Sequence, residues 1–124
     1  MTEKQYTLTF EERPDYLYAR VEGEHDSYEI SRDFWIEIAG ECEKRGTRKL
    51  LVEENIPEAV SVSEMYAIAS ELPDRFLDVS LAFVDPHADQ AELNSFGELV
   101  AQNRGVRGRF FADVASAEEW LANV

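Results

Sequence analysis

The chain has 124 residues, the length of one domain, and its 26 acidic against 12 basic side chains give a formal net charge of −14. Such a field repels phosphate polymers and anionic membranes, which excludes nucleic acid as a partner, and no run approaches the roughly 18 apolar residues that stable membrane insertion needs. A hydrophobic content of 44%, with 7 Phe, 5 Tyr and 2 Trp, excludes a disordered chain, because that much apolar surface finds a core to bury itself in.

Tyr6, Leu8 and Phe10 alternate with polar neighbours, as do the residues of 16–22, and Arg13-Pro14-Asp15 between them carries turn chemistry. An antiparallel hairpin is predicted. After Gly23, Asp26 stands three residues before Glu29, the spacing of a capping box, and Ile30, Phe34, Ile38 and Cys42 then recur every four residues with Trp35 and Ala39 alongside. Lys44-Arg45-Gly46 supplies the cations and glycine of a helix end. On that stripe the single Cys42 reads as a small buried hydrophobe; alone, it can form neither an internal disulfide nor a cysteine-rich zinc site.

Lys49-Leu50-Leu51-Val52-Glu53 is the short apolar run of a buried parallel strand. Ser61 and Glu64 form a second capping-box pair, opening a helix through Met65, Ile68, Ala69 and Leu72 that Pro73 brings to an end. Residues 79–84 predict a strand, and Asp85-Pro86 predicts a helix start whose stripe, Leu93, Phe96, Gly97 and Val100, runs to Asn103-Arg104-Gly105. A last strand over 106–111 and a helix over 116–121, with Ser116 and Glu119 at capping-box spacing, complete the chain. There is no internal repeat or linker. The order implies one α/β domain over residues 1–124: a mixed sheet that opens with an antiparallel hairpin and continues in βαβ units, with about four helices covering it.

Ligands of parallel sheets gather beyond the carboxyl ends of the strands. Those ends carry Glu22, Glu24, His25 and Asp26, then Glu53, Glu54 and Asn55, then Asp85 and His87, and finally Asp113. Oxygen-rich clusters of this kind suit magnesium or calcium, but helix N-termini share the same edge and their positive dipole ends favour carboxylates without a ligand. Lys44, Arg45, Arg48, Lys49, Arg104 and Arg107 fall near helix C-termini on the other edge, in keeping with the dipoles. No metal and no cofactor is therefore expected. A phosphate-accepting receiver site needs a Lys after a late strand, where this chain has Phe110-Phe111-Ala112-Asp113, and there is no phosphate loop, dinucleotide fingerprint or nucleophile elbow. His25 and His87 have no nucleophile placed beside them, so no catalytic residue is assigned and the chain is expected to be non-enzymatic. Met1-Thr2-Glu3-Lys4-Gln5-Tyr6 has no apolar core of a signal peptide, and a cytoplasmic location is expected.

The strands over 16–21 and 49–52, and Asn103-Arg104-Gly105 followed by Phe110-Phe111 and Trp120-Leu121, together resemble the STAS-like superfamily of bacterial regulatory domains. These are the relatives of sulfate transporter and anti-sigma factor antagonist domains, including the sporulation stage II AA type, which share a fold with one lobe of CRAL-TRIO lipid carriers. The resemblance spans nearly the whole chain. It implies a contact surface in the loop and helix start after the 49–52 strand, here Ile56, Val60, Ser61, Val62, Ser63 and Met65, with Ser61 and Ser63 as the candidate phosphate acceptors. A protein partner or a second copy of the chain, in a homodimer, would cover the apolar members of that surface. The CRAL-TRIO likeness implies a different task, the carriage or sensing of a small apolar, lipid-like ligand among Phe34, Trp35, Tyr66, Phe76, Phe83, Phe96 and Trp120. A regulatory or protein-interaction domain is the leading expectation, and a ligand carrier or sensor the alternative.

Overall fold

The structure, a computed structural model, describes residues 4–124, so the first three residues of the N-terminal segment lie outside it. Its elements are β1 (Thr7–Glu12), β2 (Leu17–Glu22), α1 (Tyr28–Arg45), β3 (Lys49–Asn55), α2 (Val62–Glu71), β4 (Ser80–Val84), α3 (Ala91–Asn103), β5 (Arg107–Phe111) and α4 (Val114–Ala122). Short 3-10 turns at Pro73–Arg75 and Ala88–Gln90 follow α2 and precede α3. The five strands lie side by side in chain order, β1 antiparallel to β2 and every later pair parallel. The α/β class, the opening hairpin and the four helices agree with the sequence reading.

Because the strand order never reverses, crossovers of one hand put α1, α2 and α3 on the same face of the sheet. Alternation along the strands divides the core accordingly. Leu17, Ala19, Val21, Leu50 and Val52 meet Phe34 and Ile38 of α1 on that face, while Tyr18, Leu51, Ala82 and Val84 meet Ala117 and Leu121 of α4 on the other. Cys42 is buried within the α1 layer, as its place on the stripe implies, and burial pushes its thiol up to about 11. Among the described residues no helix is long and apolar enough to cross a membrane.

Helix ends show where local signals compete. The expected capping box of α1 is corrected: Ser27, not Asp26, is the N-cap, its hydroxyl accepting from Ile30 N at 3.1 Å, while the Asp26 carboxylate turns to the backbone of Ser27 and the hydroxyl of Ser31. The α3 start is likewise corrected, because Asp85 and Pro86 precede a 3-10 turn and α3 begins only at Ala91. For α4, Asp113 takes the cap by accepting from Ser116 N at 2.7 Å, which displaces Ser116 from that role. Gly46 ends α1 at φ 64°, the left-handed conformation that glycine enters without strain.

The α2 box forms in full. Ser61 Oγ accepts from Glu64 N at 3.2 Å, and Ser61 N donates to Glu64 Oε1 at 3.0 Å. Tyr28 N donates to Glu64 Oε2 at 2.9 Å, so one carboxylate ties the start of α2 to the start of α1, and these backbone donors hold its pKa below the ordinary value. Ser61→Ala is expected to cost about 1 kcal/mol in chemical denaturation, whereas Ser61→Asp, which keeps an acceptor at a positive helix end, stays near wild type. Equal stability of Ser61→Ala and wild type would mean that the hydroxyl carries none of the cap.

Candidate functional site

A sheet wound in one direction has no point where the strand order reverses, and at its strand ends Glu22, Asn55 and His87 line an open, shallow depression. Space arises elsewhere. The crossover helix α2 packs against α1 and α3, and beneath it lies a cavity of about 130 Å³ floored by Leu81, Phe83 and Phe110 of the sheet. Trp35 of α1 forms one wall and Leu93, Gly97 and Ala101 of α3 another; Met65, Ile68, Ala69 and Leu72 of α2 form the roof. Trp35 is held by Phe34, Phe76 and Phe83, with ring centres 5.7 to 5.9 Å away. Gly97 allows the roof to close: a Cβ there would stand 2.6 Å from Met65 Sδ.

One end of this apolar space is polar. Asp26, Ser31, Glu54, Gln90 and Asn94 line it, brought from the β2–α1 connection, α1, β3, the turn before α3 and α3 itself. Gln90 Nε2 donates to the carbonyls of Ile56 and Pro57, both at 3.0 Å, which pins the β3–α2 connection. Asp85 is fully buried, accepting from His87 N at 2.9 Å and from Asn94 Nδ2 at 2.8 Å. Asp26 accepts from Ser27 N at 2.8 Å and Ser31 Oγ at 2.7 Å. Burial raises its pKa, with a further push from the Glu64 charge, against the pull of those donors.

Glu54 differs from both. It is only 7% exposed. Burial first, then the charges of Asp26 and Asp85, raise the Glu54 pKa well above the ordinary carboxylate value, which favours its neutral form. The site therefore offers a buried carboxylic acid at the end of an apolar chamber.

The contact surface anticipated after β3 divides. Ile56 is 1% and Val60 8% exposed, which corrects the expectation that they lie at the surface: Ile56 joins the α1 core and Val60 packs with Ile68 and Leu72. Met65 is half-buried against Gly97, and only Ser61, Ser63 and Val62 face outward. Of the seven aromatics, Trp35, Phe76 and Phe83 line the cavity; Phe34 backs Trp35, Tyr66 lies on the outer face of α2, Phe96 is half-buried on α3 outside the cavity lining, and Trp120 packs on the other side of the sheet. The acids at the strand ends disperse as well. Asp26, Glu54 and Asp85 converge, while Glu53 accepts from Tyr18 on the α4 face and Asp113 caps α4. His25 Nδ1 lies 2.7 Å from Glu58 at the exposed surface, and His87 Nε2 lies 3.0 Å from Asn55 Oδ1. Among the described residues no three His, Cys, Asp or Glu side chains are grouped to hold a metal ion.

The strand parity Leu50, Val52, Glu54, Ile56 contains the signal that places Glu54 on the α1–α3 face. Gln90 at the cap of α3 and Asn94, four residues on and one turn before Gly97, carry the matching signal.

No family model matches the chain, and a search among curated proteins finds no match. Among solved structures it is similar to an uncharacterized protein of the DUF3478 family with a SpoIIAA-like fold, from Shewanella loihica PV-4. The two share 16% identity over 98% of each chain, with a TM-score of 0.58. The fold is thus SpoIIAA-like, that is, STAS-like.

Proposed function

We propose that this SpoIIAA-like domain is a non-enzymatic carrier or sensor of a small apolar molecule, held between α2 and the sheet. The observation that carries the proposal is the apolar chamber of about 130 Å³, close to the roughly 150 Å³ at which an apolar protein cavity accepts benzene. A ligand of one ring or a short branched chain matches that space, and a long acyl chain exceeds it.

Toluene tests the reading. Saturable amide and indole shifts in wild type, centred on Trp35, Gly97 and Gly108, are expected with a Kd on the order of 1 mM for so few atoms. Ala69→Leu, which fills the space from the roof, removes them without loss of stability. Absence of saturable shifts in wild type up to the solubility limit overturns the proposal.

A second reading is supported by the outer face of α2, where Val62 is 64% and Tyr66 48% exposed. A protein partner or a second copy docked there, beside Ser61 and Ser63, would lie directly over the roof. Occupancy below and docking above would then be coupled through one helix.

A further inference from the structure

We propose that a second copy of this chain pairs with β1, joining two sheets edge to edge, antiparallel, about a two-fold axis at Thr9. The inference is independent of the chamber. The sheet has two edge strands, β1 and β5, and they are finished differently. At β5 the outer backbone is taken up by α3: Phe110 N donates to Glu98 Oε2 at 2.6 Å, and Gln102 Nε2 donates to the carbonyl of Gly108 at 2.8 Å. Among the described residues no such side chain or loop bonds the outer backbone of β1. At the turn, Arg13 N donates to the carbonyl of Tyr16 at 3.0 Å, and antiparallel pairing alternates from there. Thr7, Thr9 and Glu11 therefore direct their N–H and C=O groups to β2, and Leu8, Phe10 and Glu12 direct theirs outward.

Three features select a second copy as the strand that meets this edge. With the axis at Thr9, Leu8 stands opposite Phe10 of the second copy and exchanges both backbone bonds with it. Both side chains are half-buried against the α1 core, so each copy extends the apolar layer of the other. Charge is the second feature. A net charge of −14 repels a like molecule in general, but five of the six ion pairs among the described residues gather at this edge: Lys4 with Glu37, Arg13 with Glu11, Arg20 with Glu22, and Arg45 with Glu12 and Glu41. Both acids of β1 are thus compensated within their own chain. The third is the direction of the strand. Lys4 precedes β1 and Glu11 and Glu12 close it, so antiparallel pairing brings Lys4 diagonally beside Glu12 of the second copy, whereas parallel pairing would set acid against acid. Because α3 occupies the β5 edge, the assembly closes at two copies.

Cysteine variants test the register. Opposed residues between hydrogen-bonded pairs stand about 4.5 Å apart at Cα, within reach of a disulfide, and the buried Cys42 does not compete. Under mild oxidation Thr9→Cys is expected to form a covalent dimer at least tenfold faster than Thr7→Cys, an equally exposed site that faces Glu11 of the second copy. Sedimentation of wild type is expected to show a monomer–dimer equilibrium with a Kd on the order of 100 μM, as suits a small interface, tightened by salt as the repulsion between acidic copies is screened. Thr9→Lys places two like charges face to face at the axis. It is expected to weaken the dimer at least tenfold at an unchanged denaturant midpoint, although it lowers the net negative charge. Wild type that stays monomeric up to about 1 mM, ten times that Kd, overturns the proposal. So does a dimer that Thr9→Lys leaves intact, or equal cross-linking of the two cysteines, since either places the contact elsewhere, and so does growth beyond two copies.

Discussion

Glu54→Gln is more stable than wild type, and the gain grows as the pH rises. The sign follows from the direction of the Glu54 shift: its folded-state pKa stands well above the ordinary value, so the folded protein holds a proton that the unfolded chain releases. The stability this contributes is fully present below the unfolded carboxylate range and is lost as the pH climbs through the folded pKa. Glutamine does not titrate and keeps its interactions throughout. At the acid end of the range the two proteins are expected to agree closely. At the alkaline end the variant leads by on the order of 3 kcal/mol, the scale of an uncompensated buried charge. Glu64, Glu37 and Asp113, whose pKa values are lowered, weaken both proteins alike on acidification and cancel in the comparison. Urea denaturation of both proteins from pH 5 to pH 9 measures the gap, and parallel curves would show that Glu54 is not protonated in the fold.

Phe34→Ala costs about 3–5 kcal/mol, a large part of the roughly 5–15 kcal/mol that holds an ordinary domain folded. Phe34 is fully buried in the middle of α1, with Tyr6 and Trp35 each 5.8 Å away between ring centres. Its removal leaves a void that a helix clamped between sheet and α2 cannot collapse into. Because Trp35 leans on Phe34, the same change loosens a wall of the chamber. The measurement is a fall in the denaturant midpoint at unchanged slope, and a loss below 1 kcal/mol would mean that the layer repacks around the gap.

The regular elements were legible because each repeats its own signal: alternation in β1 and β2, the four-residue stripe of α1, the apolar run of β3. Caps were less so. Asp26 and Ser27 are adjacent and both suit an N-cap, as do Asp113 and Ser116 within one turn, and only the packing of the chain around them decides which oxygen faces the free amides. The exposure expected of Ile56 and Val60 failed for a related reason. Connections usually run over the surface, but here α2 is lifted off the sheet, and the segment leading to it carries Ile56 and Val60 inward beneath its edge. The acids at the strand ends were visible as a group, yet their separation into one buried acid, two satisfied carboxylates and several surface charges depends on strand parity and on Asn94 and Ser31 arriving from two helices.

The strand order has a consequence for how the molecule comes into being. Each strand pairs with the one made just before it, so the sheet can grow by addition during synthesis, starting from a local hairpin and closing only short stretches of chain at every step. No strand pair in the first half waits for a distant segment. The helix layers do wait: α4 reaches Tyr18 and Leu51 from the far end of the chain, and α2 rests on α1, which is made before it, and on α3, which is made after it. The enclosure under α2 is therefore among the last parts to form, finished only when the third crossover has been laid down against an already assembled sheet.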